Sequence, residues 1–309
     1  MKIVFFGTPE FAIPSLKILI ENNYNVVAVV TVPDKEKGRG LKVEPSPIKK
    51  FALENKLNVI QPENLKDENF HNQLKELKPD LGIVVAYRIL PVEVYTIPVY
   101  GTFNLHASLL PKYRGAAPIQ WALINGEKVT GVTTFFLQQK VDTGNIILQK
   151  EVAIDDEDNF YSLHNKLAQI GAELVLETVK RIESGNFEVK QQNEMEATLA
   201  PKITKEICRI KWNQSAIQIH NLIRGLSPVP GAFTVLGEKI YKIYKSKIIE
   251  SASQQSPGNI LIDNENLLVN TNDKLISILE IQPESKKKMT VKEFLLGYRK
   301  LIEEYKKFE

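Results

Sequence analysis

The chain has 309 residues, of which 43% are hydrophobic and 25% charged, and its formal net charge is +3. These values are typical of a packed globular protein of one or two domains, and they exclude a disordered or fibrous chain. No apolar run approaches the ~20 residues that cross a bilayer, so we expect no membrane segment; the single cysteine, Cys208, forms no internal disulfide and favours a reducing, cytoplasmic location.

The first half of the chain alternates predicted strands with predicted helices. Its N-terminus, MKIVFFG, enters a strand at once and has no small-residue cleavage site of an export signal. Strands are predicted at 2–6, 26–32, 81–86, 102–105 and 132–137, and helices at 10–21, 46–56, 116–124 and 159–184. Because continuous β-branched runs such as VVAVVTV are typical of parallel strands covered on both faces, we predict an α/β fold with a Rossmann-like, doubly wound, mostly parallel sheet.

The pattern changes after residue 189. The polar stretch 190–205 predicts an extended linker between a domain at 1–189 and a second domain at 206–309. A helix at 215–224 is followed by the proline-stiffened turn LSPVPGAFTV and by short strands at 239–249, 258–262, 267–270 and 275–281. Short alternating strands separated by Asn, Asp, Gly and Ser predict a small antiparallel β-barrel.

Charge is distributed unevenly between the two parts. Residues 1–205 carry 24 Lys and Arg against 25 Asp and Glu, whereas residues 206–309 carry 16 against 12. The positive excess has two interpretations, a solvated basic surface or a surface for a polyanion such as RNA. Composition leaves both open.

The first βα turn, GTPEFA, does not fit a dinucleotide site. It has one glycine where the fingerprint has three, and Thr8-Pro9 would obstruct close approach of the backbone to a pyrophosphate. The sequence also contains no P-loop and no paired cysteine or histidine-rich motif. We therefore expect neither NAD nor ATP as cofactor, and no metal.

Polar residues end the strand predicted at 102–105, within the stretch NLHASLLPKYRG. Asn104 and His106 are two residues apart, so their side chains emerge on one side, at the edge where open α/β sheets bind ligands. A lone histidine is most often structural, but Asp142 in KVDTG could reach the same crevice and hold a charged imidazole. Such a set suits the oxyanion of acyl transfer. Because no serine or cysteine occupies a nucleophile elbow, the acceptor is expected to attack directly.

NLHASLLPKYRGAAPIQ and the downstream GVTTFFLQQKVDTGNII resemble the folate-dependent formyltransferase family, whose signature combines N-x-H-x-S-L-L-P with D-x-G. GTPEFAIPSL, ATLAPKITKEICRIKW and IRGLSPVPGAFT extend the resemblance over essentially the whole chain. The resemblance implies a cytoplasmic enzyme of translation initiation with an OB-like, tRNA-binding C-terminal barrel, and we expect a monomer. Its formyl donor would be 10-formyltetrahydrofolate, and its acceptor the α-amine of methionyl initiator tRNA.

The resemblance also implies residue roles. Asn104, His106 and Asp142 would be catalytic, and the folate would contact Ser108, Leu109, Leu110, Pro111, Ile89 and Leu90. Without the family, the Leu and Pro residues of these two segments would be ordinary loop anchors. AYRILP is one residue shorter than the family's AYG-x-ILP and has Arg88 where glycine is usual.

For tRNA, the resemblance points to the basic segment 34–50 and to the C-terminal domain. The predicted contacts in the segment are Lys35, Lys37, Arg39 and Lys42; in the barrel they are Lys242, Lys245, Lys247, Lys286, Lys287 and Lys288. A solvated loop and a merely stabilising barrel are the alternatives for these two regions.

Other functions remain open within and outside the family. The main alternative is formyl transfer to a nucleotide amino-sugar, since such enzymes share the NLH-SLLPKYRG run; formyltetrahydrofolate hydrolases and glycinamide ribonucleotide formyltransferases are further relatives. The basic loop and the AAPIQ stretch favour tRNA. A non-catalytic RNA-binding protein would have lost one of the three polar residues, and all three are present.

Overall fold

The structure, a computed structural model, describes residues 1–37, 42–253 and 255–309. The described residues form two compact units. Unit 1 comprises Met1–Gly115, Val129–Ala153 and His164–Ala200, and unit 2 comprises Ala116–Lys128, Ile154–Leu163 and Pro201–Glu309. Unit 2 thus contains two short segments of the first half of the chain as well as its C-terminal third.

The strands run in chain order as follows. They are β1 (Lys2–Gly7), β2 (Asn25–Val30), β3 (Lys35–Lys37), β4 (Lys42–Glu44), β5 (Val59–Ile60), β6 (Leu81–Val85), β7 (Thr102–His106), β8 (Val129–Phe136), β9 (Ile146–Ala153), β10 (Ala232–Leu236), β11 (Lys239–Ala252), β12 (Ile260–Asp263), β13 (Asn266–Asn270), β14 (Lys274–Pro283) and β15 (Met289–Thr290).

The α-helices include a long one after β9 and a second at the C-terminus. They are α1 (Ile13–Glu21), α2 (Pro47–Glu54), α3 (Glu68–Glu76), α4 (Val92–Tyr95), α5 (Pro118–Ile124), α6 (Phe160–Ser184), α7 (Ala216–Leu226) and α8 (Val291–Tyr305). Their starts follow the expected chemistry: Ser46 accepts a hydrogen bond from the Lys49 amide at the start of α2, with Pro47 as the first helical residue. None of the helices in the described ranges combines the length and hydropathy needed to cross a bilayer.

The described part of unit 1 is built on a seven-stranded sheet of order β5-β2-β1-β6-β7-β8-β9. The pairs from β5 to β7 are parallel, whereas β8 runs antiparallel to β7 and β9 antiparallel to β8. Every residue of β6 is buried, which is the pattern of a strand covered on both faces. The predicted doubly wound, mostly parallel sheet is confirmed, with an antiparallel edge beyond β7.

Unit 2 contains an antiparallel sheet of order β10-β11-β14-β13-β12, with β15 paired to β14. The predicted antiparallel C-terminal domain is therefore confirmed. Its core is closed by α7 and α8, which contribute Ile219, Ile223, Phe294 and Ile302 to one apolar cluster. Helix α8 was not predicted, although Thr290 and Glu293 form a capping box at its start.

Candidate active site

The imidazole of His106 lies at the carboxyl end of β7, where its orientation is set by the loop that follows. The ring is 7% exposed, and its Nε2 is 2.8 Å from the backbone oxygen of Tyr113. Because a carbonyl oxygen only accepts, Nε2 must carry a hydrogen in this arrangement. Nδ1 is therefore the ring atom left for chemistry.

Asp142 faces that free atom. Its Oδ2 lies 3.9 Å from Nδ1 of His106 and accepts a hydrogen bond of 2.9 Å from the Gly115 amide. The distance to Nδ1 exceeds a hydrogen bond, so the two side chains are neighbours that are not bonded to each other.

The D-x-G turn places the carboxylate through an uncommon backbone conformation. Asp142 has φ of 54°, in the left-handed region that aspartate tolerates better than most residues. Two residues on, a Cβ at Gly144 would overlap the carbonyl oxygen of Phe136, so only glycine fits there. The spacing of Asp142 and Gly144 thus has a steric reason.

Asn104 precedes His106 by two residues on β7 and therefore shares its face of the strand. It is half-buried, paired in register with Val84 on β6 and Phe135 on β8. Its side-chain amide forms no hydrogen bond with any other residue that the structure describes. A half-buried donor without a protein partner is suited to a substrate oxygen.

The predicted folate turn, Ser108–Pro111, is hydrogen-bonded to a residue of β8. The Thr133 hydroxyl donates to the carbonyl oxygen of Ser108 (2.6 Å) and accepts from the amide of Leu110 (3.1 Å). Ser108 is fully buried and Leu110 is 3% exposed, whereas Leu109 and Pro111 are half-buried. Ser108 and Leu110 therefore stabilise the turn from inside the protein. Leu109 and Pro111 are the side chains of the turn that remain accessible to a ligand.

The second predicted wall of the folate pocket, Ile89 and Leu90, also combines an exposed side chain with a buried one. Ile89 is 73% exposed, while Leu90 is 6% exposed and packs into the apolar cluster that contains Phe6. The guanidinium of Arg88 donates to the backbone oxygens of Pro62 (2.8 Å) and Glu63 (3.3 Å). Arg88 thus fixes this segment to the residues that follow β5.

The predicted tRNA contacts near residue 39 are described only in part. Arg39 lies outside the described residues; Lys35 and Lys37 lie on β3 and Lys42 on β4, and only their backbone is described. Just before this hairpin Asp34 forms an ion pair of 2.6 Å with Lys49. Hydrogen bonds from Lys49 and Gln61 lower the pKa of Asp34 below its ordinary value.

The predicted lysines of unit 2 fall into two groups. Lys245 and Lys247 are exposed on β11, as are Lys286 and Lys287 in the turn before β15. Lys288 is neutralised by Glu280 at 2.7 Å, and Lys242 donates to the backbone oxygen of Pro230. The four exposed lysines of the first group are therefore the better candidates for contact with a phosphate.

A cavity of about 350 Å³ lies within unit 2, and none of the predicted catalytic residues lines it. Its lining mixes carboxylates with cations: Asp156, Glu157, Glu280, Arg224, Lys245 and Lys288. Burial and the charge of Arg224 lower the pKa of His220 in its wall. Such a mixed lining does not favour a polyanion inside the cavity, although Lys245 is itself exposed on β11.

In the described ranges, no group of three or more His, Cys, Asp or Glu is placed to hold a metal ion.

Sequence reasoning missed a set of residues that support the site. Gln192 and Arg114 are both buried and bonded to each other, and Gln192 also bonds the turn that carries Asp142. Gly115 has φ of +125°, and a Cβ there would lie 2.7 Å from the oxygen of Ala200. The only sequence signal for any of them was the conspicuous YRG that ends the His106 stretch.

Comparison with known proteins covers both parts of the chain. The family described as formyl transferase matches residues 1–179, and the family described as formyl transferase, C-terminal domain, matches residues 202–299. Methionyl-tRNA formyltransferase of Thermodesulfovibrio yellowstonii is 52% identical over 302 residues, covering 97% of each chain. That of Caldanaerobacter subterraneus is 49% identical over 300 residues, covering 96% of this chain and 97% of its own.

Solved structures with lower identity share the fold. An N-formyltransferase from Helicobacter canadensis in complex with folinic acid and dTDP-3-aminofucose has a TM-score of 0.67 at 24% identity, covering 90% of this chain and 99% of its own. HypX from Aquifex aeolicus in complex with tetrahydrofolic acid has a TM-score of 0.65 at 19% identity, covering 98% of this chain and 47% of its own. The resemblance inferred from NLHASLLP and D-x-G is confirmed by the full-length relatives: the chain belongs to the formyl transferase family and, within it, to the methionyl-tRNA formyltransferases.

Proposed function

We propose that this protein transfers the formyl group of 10-formyltetrahydrofolate to the α-amine of methionyl initiator tRNA. The observation that carries the proposal is the pairing of His106 Nδ1 with Asp142 Oδ2 at 3.9 Å, in a chain that is 52% identical over its length to a methionyl-tRNA formyltransferase. The proposed catalytic domain is 1–189, the linker 190–205 and the tRNA-binding domain 206–309. Asn104, His106 and Asp142 all belong to unit 1. The proposed enzyme is a monomer, and the unpaired Cys208 supports a cytoplasmic location.

In the proposed reaction the amine attacks the formyl carbon directly. A free α-amine has a pKa of about 7.7–8.0, and the adjacent ester lowers it, so much of it is neutral near pH 7. The new N–C bond forms as the carbonyl oxygen becomes an oxyanion. Asn104 donates to that oxygen from its free amide, and protonated His106 donates from Nδ1.

Collapse of the intermediate breaks the bond between the formyl carbon and N10 of the folate. The attacking nitrogen loses one proton and N10 gains one, so the transfer needs no further reactant. Asp142 stabilises the imidazolium during the step and relays this proton, a role that its position beside Nδ1 supports. No metal is required for the charge balance.

The folate is proposed to lie against the turn Ser108–Pro111, with Ile89 on the opposite side. Leu109, Pro111 and Ile89 offer apolar surface, while the buried Ser108, Leu110 and Leu90 fix the backbone beneath it. Apolar walls with a few polar backbone groups suit a flat pterin ring.

A direct assay tests the proposed function. The protein is incubated with 10-formyltetrahydrofolate and aminoacylated initiator tRNA, and separately with a nucleotide amino-sugar. Formyl-methionyl-tRNA is the expected product. Formylation of the amino-sugar alone would replace this proposal by the alternative acceptor.

Replacing Arg39 by alanine is expected to raise KM for tRNA by about tenfold, because phosphate contacts supply much of RNA affinity. KM for the folate should stay unchanged. Arg181→Ala is the control, since that arginine is already paired with Glu177 at 2.6 Å. Steady-state kinetics with each substrate varied in turn measure both constants, and an unchanged KM for tRNA contradicts the proposed contact.

The double variant Lys245→Ala, Lys247→Ala is expected to weaken tRNA binding and to reduce its salt dependence. Both ammonium groups are exposed on β11, so each would release a counterion on meeting a phosphate, and the log–log salt slope should fall by roughly 1–2. Lys274→Ala is the control, because Glu250 already neutralises that lysine at 2.6 Å. Filter binding over a salt series measures the slope; equal slopes for the double variant and wild type would leave the barrel a stabilising appendage.

A further inference from the structure

The segment predicted as a linker is tied to the loops that carry the proposed catalytic groups. Residues 190–200 belong to unit 1, together with β7, the loop after it and the Asp142 turn. We propose that Gln192 is a positioning residue for Asp142, and that this part of the linker is a structural component of the active site. The inference rests on the proposed function, because it assigns Gln192 to the reaction in which Asp142 takes part.

Gln192 uses all of its hydrogen-bonding capacity around this turn. Its Nε2 donates to the backbone oxygens of Asp142 (2.9 Å) and Gly144 (2.8 Å). Its Oε1 accepts from Nε (3.0 Å) and Nη2 (2.7 Å) of Arg114. Because carbonyls only accept and a guanidinium only donates, the partners determine which way the amide is turned.

These bonds act where the backbone needs support. Asp142 has φ of 54° without being glycine, and such a conformation persists only when the surroundings hold it. Gln192 binds the carbonyl on each side of Thr143 and so fixes the turn at both ends. Rotation of that turn would move the Asp142 carboxylate relative to Nδ1 of His106, from which it now lies 3.9 Å.

Arg114 connects Gln192 to the loop that orients the same carboxylate. Its guanidinium pairs with Glu194 through two hydrogen bonds, Nη1–Oε2 at 2.9 Å and Nη2–Oε1 at 2.8 Å, and the hydrogen bonds from Arg114 hold the pKa of Glu194 below its ordinary value. The next residue, Gly115, donates its amide to Oδ2 of Asp142. The loop that contains Arg114 and Gly115 therefore restrains both the backbone and the carboxylate of Asp142.

The same linker also supports the histidine side of the site. The Tyr113 amide donates to the Thr198 hydroxyl at 2.9 Å, and backbone bonds join Arg114 with Thr198 and Ala200. Tyr113 supplies the carbonyl that orients His106, with its own φ at 60°. Gln192 and Thr198 thus restrain the two loops that set the distance between imidazole and carboxylate.

The test compares two neighbouring glutamines in the full-length protein. Gln192→Met keeps the length of the side chain and removes both donors, whereas Gln191→Met alters an exposed residue. Gln192→Met is expected to lower kcat by about 100-fold, as a small misplacement of a catalytic group does. KM for folate and for tRNA should stay within about twofold, and the pH dependence of kcat should be displaced; Gln191→Met should match wild type.

A second variant covers the case in which Gln192→Met fails to fold. Gln192→Glu keeps an oxygen for Arg114 but turns an acceptor toward the two carbonyls, so kcat should fall at least as far, and the ring ¹⁵N chemical shifts of His106 should differ from those of wild type. Wild-type kcat and pH profile in either folded variant would overturn the inference, as would a loss of kcat that only follows the folded fraction. If wild-type protein does not formylate methionyl-tRNA, the proposed function fails first and independently of Gln192.

Discussion

Replacing His106 by asparagine is expected to lower kcat for formyl transfer by about 100–1000-fold, the usual effect of losing one oxyanion donor. Nε2 is bonded to the Tyr113 carbonyl, so Nδ1 is the atom that can reach the developing negative oxygen. Asparagine can bring a neutral amide nitrogen near the position of Nδ1, but it has no positive charge and no counterpart of Nε2 to hold the side chain against Tyr113. Single-turnover formylation at saturating folate and tRNA measures the chemical step alone.

His71→Asn is the matched control for this variant. His71 also places Nε2 2.8 Å from a backbone oxygen, that of Leu65, and it lies against the ring of Phe70 as His106 lies against the ring of Phe135. Both variants lose a ring–carbonyl hydrogen bond, worth about 1 kcal/mol of folding free energy. Comparable thermal stability with activity lost only in His106→Asn is the expected outcome. Near-wild-type turnover in His106→Asn would remove the imidazole from the mechanism.

Asp142→Asn should have an effect of similar size for a different reason. The amide oxygen can still accept from Gly115, as Oδ2 does at 2.9 Å, so the turn should survive. That oxygen is also the atom nearest to Nδ1 of His106, but in the amide it carries no net negative charge. The carboxylate stabilises the imidazolium, whereas the neutral amide does not.

We therefore expect kcat to fall by about 100-fold or more in Asp142→Asn, with a changed pH profile. Asp67→Asn is the control, because Asp67 also accepts a backbone amide hydrogen bond, from Asn69 at the start of α3, and asparagine caps helices equally well. Stopped-flow or quenched formylation assays between pH 6 and 9 measure both kcat and its pH profile. An unaltered rate and profile in Asp142→Asn would show that the carboxylate charge is not used.

Much of unit 1 could be predicted because its signals are local. Continuous apolar runs at β2 and β6 predict buried parallel strands, and the Ser46-Pro47 pair predicts the start of α2. The two-residue spacing of Asn104 and His106 places them on one face once the strand is known. Local pattern and chemistry thus sufficed for the sheet and for the choice of catalytic candidates.

The missed elements are those whose pattern is mixed or whose partners lie far along the chain. β9 has three exposed residues in its centre, so its sequence does not alternate like a half-buried strand. Gln192 bonds Asp142 and Arg114, 50 and 78 positions away, and no local pattern distinguishes it from Gln191. Its role depends on tertiary contacts that sequence periodicity does not contain.

The chain crosses between the two units five times, because Ala116–Lys128 and Ile154–Leu163 belong to unit 2. Within unit 2, α5 packs closely against α7: a Cβ at Gly225 would lie 2.9 Å from Ile124 and 3.2 Å from the oxygen of Gln120. Cutting the protein at the linker would therefore separate α5 from α7 and expose apolar side chains. The C-terminal third therefore cannot be exchanged between relatives by itself. Such an exchange must also include Ala116–Lys128 and Ile154–Leu163.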